Sequence, residues 1–195
     1  MGQYYMPVLT QGKKTIIYRN YVKEEGKKEY IFLKLMEHSW WGNSYVTAIA
    51  KKLYKKSGRL AWYGDYTDDV MDKITSSDGT TAPINPLVWA QAHNDIYMQP
   101  YLKATNFNLQ DKYLINLTKK EYVDLTAYYN DNIEDDWCIH PLPLLTATSN
   151  GQGGGDYYGI NQNQVGRWMY DKIIIRDKAP NKQYKQLSLF FTEEQ

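Results

Sequence analysis

The run Asn43-Ser44-Tyr45-Val46-Thr47-Ala48-Ile49-Ala50-Lys51-Lys52-Leu53-Tyr54-Lys55-Lys56-Ser57-Gly58, followed at once by Arg59-Leu60-Ala61-Trp62-Tyr63, decides the fold class. Val46, Ile49, Ala50, Leu53 and Tyr54 recur at the i, i+3, i+4, i+7, i+8 spacing of one apolar helix stripe. Asn43 or Ser44 can accept a hydrogen bond from an early helical N–H, and Gly58 can end the helix in the left-handed region. The pattern predicts an amphipathic helix over about 44–57. Lys51, Lys52, Lys55 and Lys56 fall on its other side, a face for water or for an anionic partner. The next five residues change period and read as a strand.

Working outward, residues 4–9, 15–22 and 29–36 are rich in β-branched and aromatic side chains. Turn residues at Gln11-Gly12-Lys13 and Glu25-Gly26-Lys27 separate them. These segments predict an antiparallel meander. Residues 113–117 and 121–129 predict a hairpin, because Val123, Leu125 and Ala127 alternate with polar neighbours. A capping box from Thr118 to Glu121 competes with that reading. Residues 168–175 and 184–191 predict two further strands. Pro86 opens a short helix to about residue 93, and residues 144–148 form a strand or a helical turn. The expected class is α+β: antiparallel sheet, one clear helix and short additional helices, in a single domain spanning 1–195.

Composition bounds the rest. The chain has 195 residues, 43% hydrophobic and 23% charged, within the range of a folded domain. Its 19 Tyr against 4 Phe suit half-buried strands, and also adhesive surfaces. One cysteine, Cys138, excludes an intrachain disulfide. No apolar run approaches the ~20 residues of a membrane span, and the first twenty residues lack a signal-peptide core. A cytoplasmic protein without a membrane partner is expected. Charge is uneven: net +8 over residues 1–60, −9 over 61–157 and +2 over 158–195.

Several residues could carry chemistry. His38 ends an apolar run before Trp40 and Trp41, and Asp65 ends another. A carboxylate beside an imidazole makes an acid/base pair. Cys138 and His140 are two apart and share a face if extended, but a lone cysteine between Trp and Ile reads as core. Gly153, Gly154 and Gly155 precede Asp156, where a phosphate loop would need Lys, so a structural loop competes with a ligand-approach loop. Trp41 could wall a ligand site beside it. Asp65, Asp68 and Asp69 lack the spacing of a calcium loop, and the three histidines form no metal motif. No metal and no cofactor are expected.

The ordered motifs Met1-Gly2-Gln3-Tyr4-Tyr5, Leu35-Met36-Glu37-His38-Ser39, Trp62-Tyr63-Gly64-Asp65-Tyr66, Thr118-Lys119-Lys120-Glu121-Tyr122, His140-Pro141-Leu142-Pro143-Leu144-Leu145 and Gly153-Gly154-Gly155-Asp156-Tyr157 carry a resemblance. The chain resembles a family of small uncharacterised proteins of bacteria and their phages. The resemblance spans most of the chain outside residues 67–111. It implies a bacterial or phage-infected cytoplasm and an accessory or defence-countering role, and it transfers no catalytic residue.

Two functions follow as expectations. The first is a non-catalytic binding protein with a protein partner, or with nucleic acid on the lysine face. The second is an enzyme for a small or phosphorylated substrate, with His38, Asp65, His140 and Asp156 around one pocket beside the glycine loop.

Overall fold

The computed structural model describes residues 3–18, 20–24, 27–31, 33–65, 74–75, 81–82, 97–99, 107–148 and 156–192. The expected helix over 86–93, the aspartates Asp68, Asp69 and Asp72, and the glycines Gly153, Gly154 and Gly155 lie outside these residues.

Strands β1 (Tyr5–Gln11) and β2 (Lys14–Tyr18) form the first hairpin, turning through Gly12 at φ 64°. Instead of extending a meander, β3 (Asn20–Glu24) and β4 (Lys27–Ile31) pair with each other in a separate two-stranded sheet. The predicted strand over 29–36 also stops early. Leu35–His38 is a one-turn helix, α1, whose Glu37 carboxylate accepts from the Lys34 N–H at 2.8 Å. That local bond offers the backbone an alternative to a ladder.

Helix α2 is Ser44–Leu53, capped by the Asn43 side chain, which accepts from the N–H groups of Tyr45 and Val46. It ends four residues earlier than the sequence suggests, and not at Gly58. Tyr54 turns extended and bridges Ile175, while Lys55 takes the left-handed conformation at φ 58°. Pairing with the sheet wins over one more helical turn.

Gly58 instead starts β5 (Gly58–Gly64), where a Cβ would lie 2.7 Å from Leu9 Cδ1. β5 lies between β1 and β11 (Lys172–Arg176), antiparallel to both. β9 (Tyr113–Asn116) pairs with β11 and with β10 (Glu121–Asp124), so the 113–124 hairpin forms as predicted. Its second arm is shorter than expected. Asp124 accepts from the N–H groups of Thr126 and Ala127 and starts helix α3 (Leu125–Asn132). The Thr118–Glu121 capping box does not form. Asn116 caps that turn instead, accepting from Thr118 and Lys119 N–H.

Helix α4 (Pro141–Thr146) resolves the 144–148 ambiguity toward a helix. Pro141 sits at its first position, where a backbone N–H has no helical partner to lose. The last two predicted strands shrink to β11 and β12 (Lys185–Gln186), which do not pair with each other. Trp168 lies in a turn, held by its N–H to the Leu145 carbonyl. With β8 (Tyr97–Gln99) beside β2, the large sheet reads β12-β10-β9-β11-β5-β1-β2-β8. The β10–β12 and β2–β8 contacts are parallel, so the sheet is mixed, and the class is α+β. A third small pair joins β6 (Ile74–Thr75) to β7 (Thr81–Ala82).

Period-two alternation divides the core between the sheet's faces. Tyr5, Leu9, Leu60 and Trp62 join α2 and α4 residues in the main cluster. Met6, Val8, Ala61 and Tyr63 point the other way, with Met169 and Tyr170 against them.

Candidate functional site

Of the sequence-predicted residues, His38, Asp65 and Asp156 attach near the paired ends of β1 and β5, and each is committed to structure. His38, fully buried, accepts from the Trp62 indole N–H through Nε2 and stacks on that ring at 5.6 Å. Accepting at Nε2 places the imidazole proton on Nδ1, which is buried without a hydrogen-bond partner among the described residues. Burial pushes its pKa down to about 3, against a smaller opposing pull from the Lys34 backbone. Asp65 accepts from the Tyr4 N–H at 2.9 Å and so closes the β1–β5 ladder. Asp156 accepts from the buried Tyr5 hydroxyl at 3.2 Å, which also reaches Gln3. Gln3 in turn lies against Gly64, where a Cβ would meet its amide nitrogen at 2.0 Å.

The His140 N–H donates to the Ser39 carbonyl, next to His38, and the His140 Nδ1 accepts from the Leu142 N–H to cap α4. Burial alone pushes this imidazole down to about 3 as well. Trp41 is flanked by His140 at 5.1 Å and Tyr129 at 4.9 Å. Cys138 is buried and its thiol is pushed up to about 12. The thiolate and the imidazolium are therefore both disfavoured here.

The lysine face is divided by the early end of α2. Lys51 and Lys52 are on the helix, and Lys55 lies beyond it, 3.1 Å from Asp177. The Tyr54 hydroxyl donates to the same carboxylate, and with Lys112 and Lys55 it holds the Asp177 pKa down to about 2. Lys56 is exposed. Among the described residues no group of three His, Cys, Asp or Glu could hold a metal ion, and no helix is long and apolar enough to cross a membrane.

A different surface lies in the negatively charged middle segment, at Asp131, Glu134, Asp135 and Asp136. Glu134 and Trp137 exchange both backbone hydrogen bonds, at 2.9 and 2.8 Å, around Asp135 and Asp136. Both central residues have positive φ, 48° and 65°. This is the signature of a type I′ hairpin turn, which normally calls for Asn-Gly. The turn lifts Trp137 into solvent at 42% exposure, against a core that buries Trp62 and Trp168. Nearby, Asn132 bonds the Leu189 carbonyl and the Phe191 N–H, leaving Phe190 between them facing outward. Asn161 accepts from the Phe190 N–H and so brings exposed Ile160 alongside. Ile133, Trp137, Phe190 and Ile160 are therefore all exposed, and Asn132 and Asn161 tie the segments of Ile133, Phe190 and Ile160 together. The available signal was the pair Asp135-Asp136 before an aromatic residue, since Asp tolerates the left-handed region better than most residues.

The turn supplies a stability test. Replacing Asp135 by Asn and Asp136 by Gly fits the type I′ geometry and should stabilise the fold by about 1 kcal/mol. Urea denaturation of the double variant checks this, and a lower midpoint would contradict the turn assignment.

No protein-family model, curated protein or solved structure matches the chain.

Proposed function

We propose that this is a non-catalytic binding protein of a bacterial or phage-infected cell, an accessory or defence-countering factor that docks a protein partner. The observation that carries the reading is Trp137, held out at 42% exposure on a left-handed acidic turn. Exposed aromatic side chains with few rotatable bonds are the anchors of protein interfaces. Backbone held in a disfavoured region persists where the surrounding structure imposes it, and such positions cluster at functional surfaces. The withdrawal of His38, His140 and Cys138 into neutral, buried roles supports binding over acid/base or thiol catalysis. Nucleic-acid binding through the lysines is less supported, because Lys55 already faces Asp177.

Affinity capture from bacterial cytoplasm, with mass spectrometry for proteins and nucleotides, tests the proposal. Wild type should retain a protein that Trp137→Ala releases at unchanged melting temperature. Nucleic acid as the sole retained species, lost with salt and indifferent to Trp137, would overturn it.

A further inference from the structure

A cleft of about 230 Å³ lies between α3 and residues 186–189. One side is α3 with its N-cap Asp124, together with Ala127 and Asp131, and the other is residues 186–189. The volume is below the roughly 300–1,000 Å³ of pockets for drug-sized ligands, and suits a single side chain. Asp124 and Asp131 stand two helical turns apart, about 10 Å along the axis, so a carboxylate guards each end. Among the described residues neither carboxylate has an ion-pair partner, although Asp124 Oδ1 accepts from the Thr126 and Ala127 N–H groups as the α3 cap. The last turn of α3 carries no basic residue, so its carbonyl end adds to the negative field. Ala127, Leu187 and Leu189 in the same lining match the methylene stem of a long cationic side chain, which buries its stem and keeps its charged head among polar groups.

We infer that this cleft seats an arginine or lysine side chain from an exposed segment of the protein partner. The inference rests on the protein-binding reading above and specifies the partner's chemistry: a basic residue, the complement of the two carboxylates in the cleft. Guanidinium is the better occupant, because its fork can bond a carboxylate with two parallel N–H groups.

Three short peptides that differ only at a central arginine, norleucine or glutamate provide the probes, read by isothermal titration calorimetry. The arginine peptide should bind, and the other two should bind at least about tenfold more weakly, as expected for loss of a charged hydrogen bond. Asp124→Asn with Asp131→Asn should remove that preference. Asn is as good a helix cap as Asp, so the double variant keeps α3, which circular dichroism verifies. Ala127→Leu, which fills the cleft, should weaken the arginine peptide similarly. Equal binding of the arginine and norleucine peptides, no binding of any peptide at millimolar concentration, or an unchanged preference in the double Asn variant would each overturn the inference. A partner captured through Trp137 but indifferent to Asp124→Asn/Asp131→Asn would overturn the cleft assignment alone and leave the binding function standing.

Discussion

Between pH 6.5 and about pH 4.5 the protein should lose about 5 kcal/mol of folding stability through His38 and His140, because each pH unit costs ~1.4 kcal/mol for each group that must stay neutral. Both imidazoles are held at about 3 in the fold, against 6.5 for the ordinary group. The unfolded chain binds both protons as the pH falls through 6.5, and the folded chain binds neither until about 3. The contribution is therefore fully present above 6.5 and is lost progressively toward 3. A loss of that size is comparable to the whole stability of an ordinary domain, so unfolding is expected near pH 4.5. Urea midpoints measured at pH 7.5, 6 and 5 check it.

Two variants isolate the cause. His38→Gln keeps an acceptor for the Trp62 indole, and His140→Asn keeps a cap for the Leu142 N–H. Each should remove about half of the pH slope, and the double variant most of it. A slope unchanged in both variants would place these histidines in solvent. It would also reopen the acid/base reading of His38 with Asp65, which needs an imidazole that titrates near neutrality.

The same residues show where sequence reading reaches and where it stops. The α2 stripe was legible because Val46, Ile49, Ala50 and Leu53 repeat locally, and Asn43 caps as its chemistry predicts. The end of α2 was not legible, because Tyr54 leaves the helix to bridge Ile175, a residue over a hundred positions away. At 121–129 two local patterns competed. The alternation of Val123, Leu125 and Ala127 suggested a longer strand, yet Leu125, Tyr128 and Asn132, the buried residues of α3, also fit helical spacing. Asp124 as an N-cap settles the boundary, and that cue was present in the sequence. His38, Asp65, His140 and Asp156 were expected around one pocket, and each is bonded into the fold. Their roles were not readable, since burial and the Trp62 and Leu142 bonds arise only from long-range packing. The cleft is equally invisible in sequence, because α3 and residues 186–189 meet only in the fold.

The second large effect concerns the strand that supports that cleft. Glu121, 7% exposed on β10, accepts from Arg167 Nε at 3.0 Å, from Arg167 Nη2, and from the Trp168 indole at 2.8 Å. The Arg167 guanidinium holds this carboxyl below its usual range, with the Trp168 bond adding to it and burial opposing both. In wild type the contribution is present above the ordinary glutamate value and is lost as the pH falls. Arg167→Met removes the counter-charge and leaves a buried carboxylate with an indole as its remaining side-chain donor. It should cost about 3 kcal/mol near neutral pH, the usual penalty for orphaning a buried charge. The carboxyl should then titrate higher, so the deficit relative to wild type shrinks on acidification. Adding Glu121→Gln to Arg167→Met discharges the site while keeping an acceptor for Trp168, and should recover most of the loss. Denaturant midpoints of the two single variants, the double variant and wild type give the coupling directly. If the double variant is no more stable than Arg167→Met, the ion pair is not what fixes this site. Because Glu121 lies opposite Lys185 in the β10–β12 register, Arg167→Met should also loosen β12, which enters the cleft wall at Gln186, and weaken the arginine-peptide binding expected there.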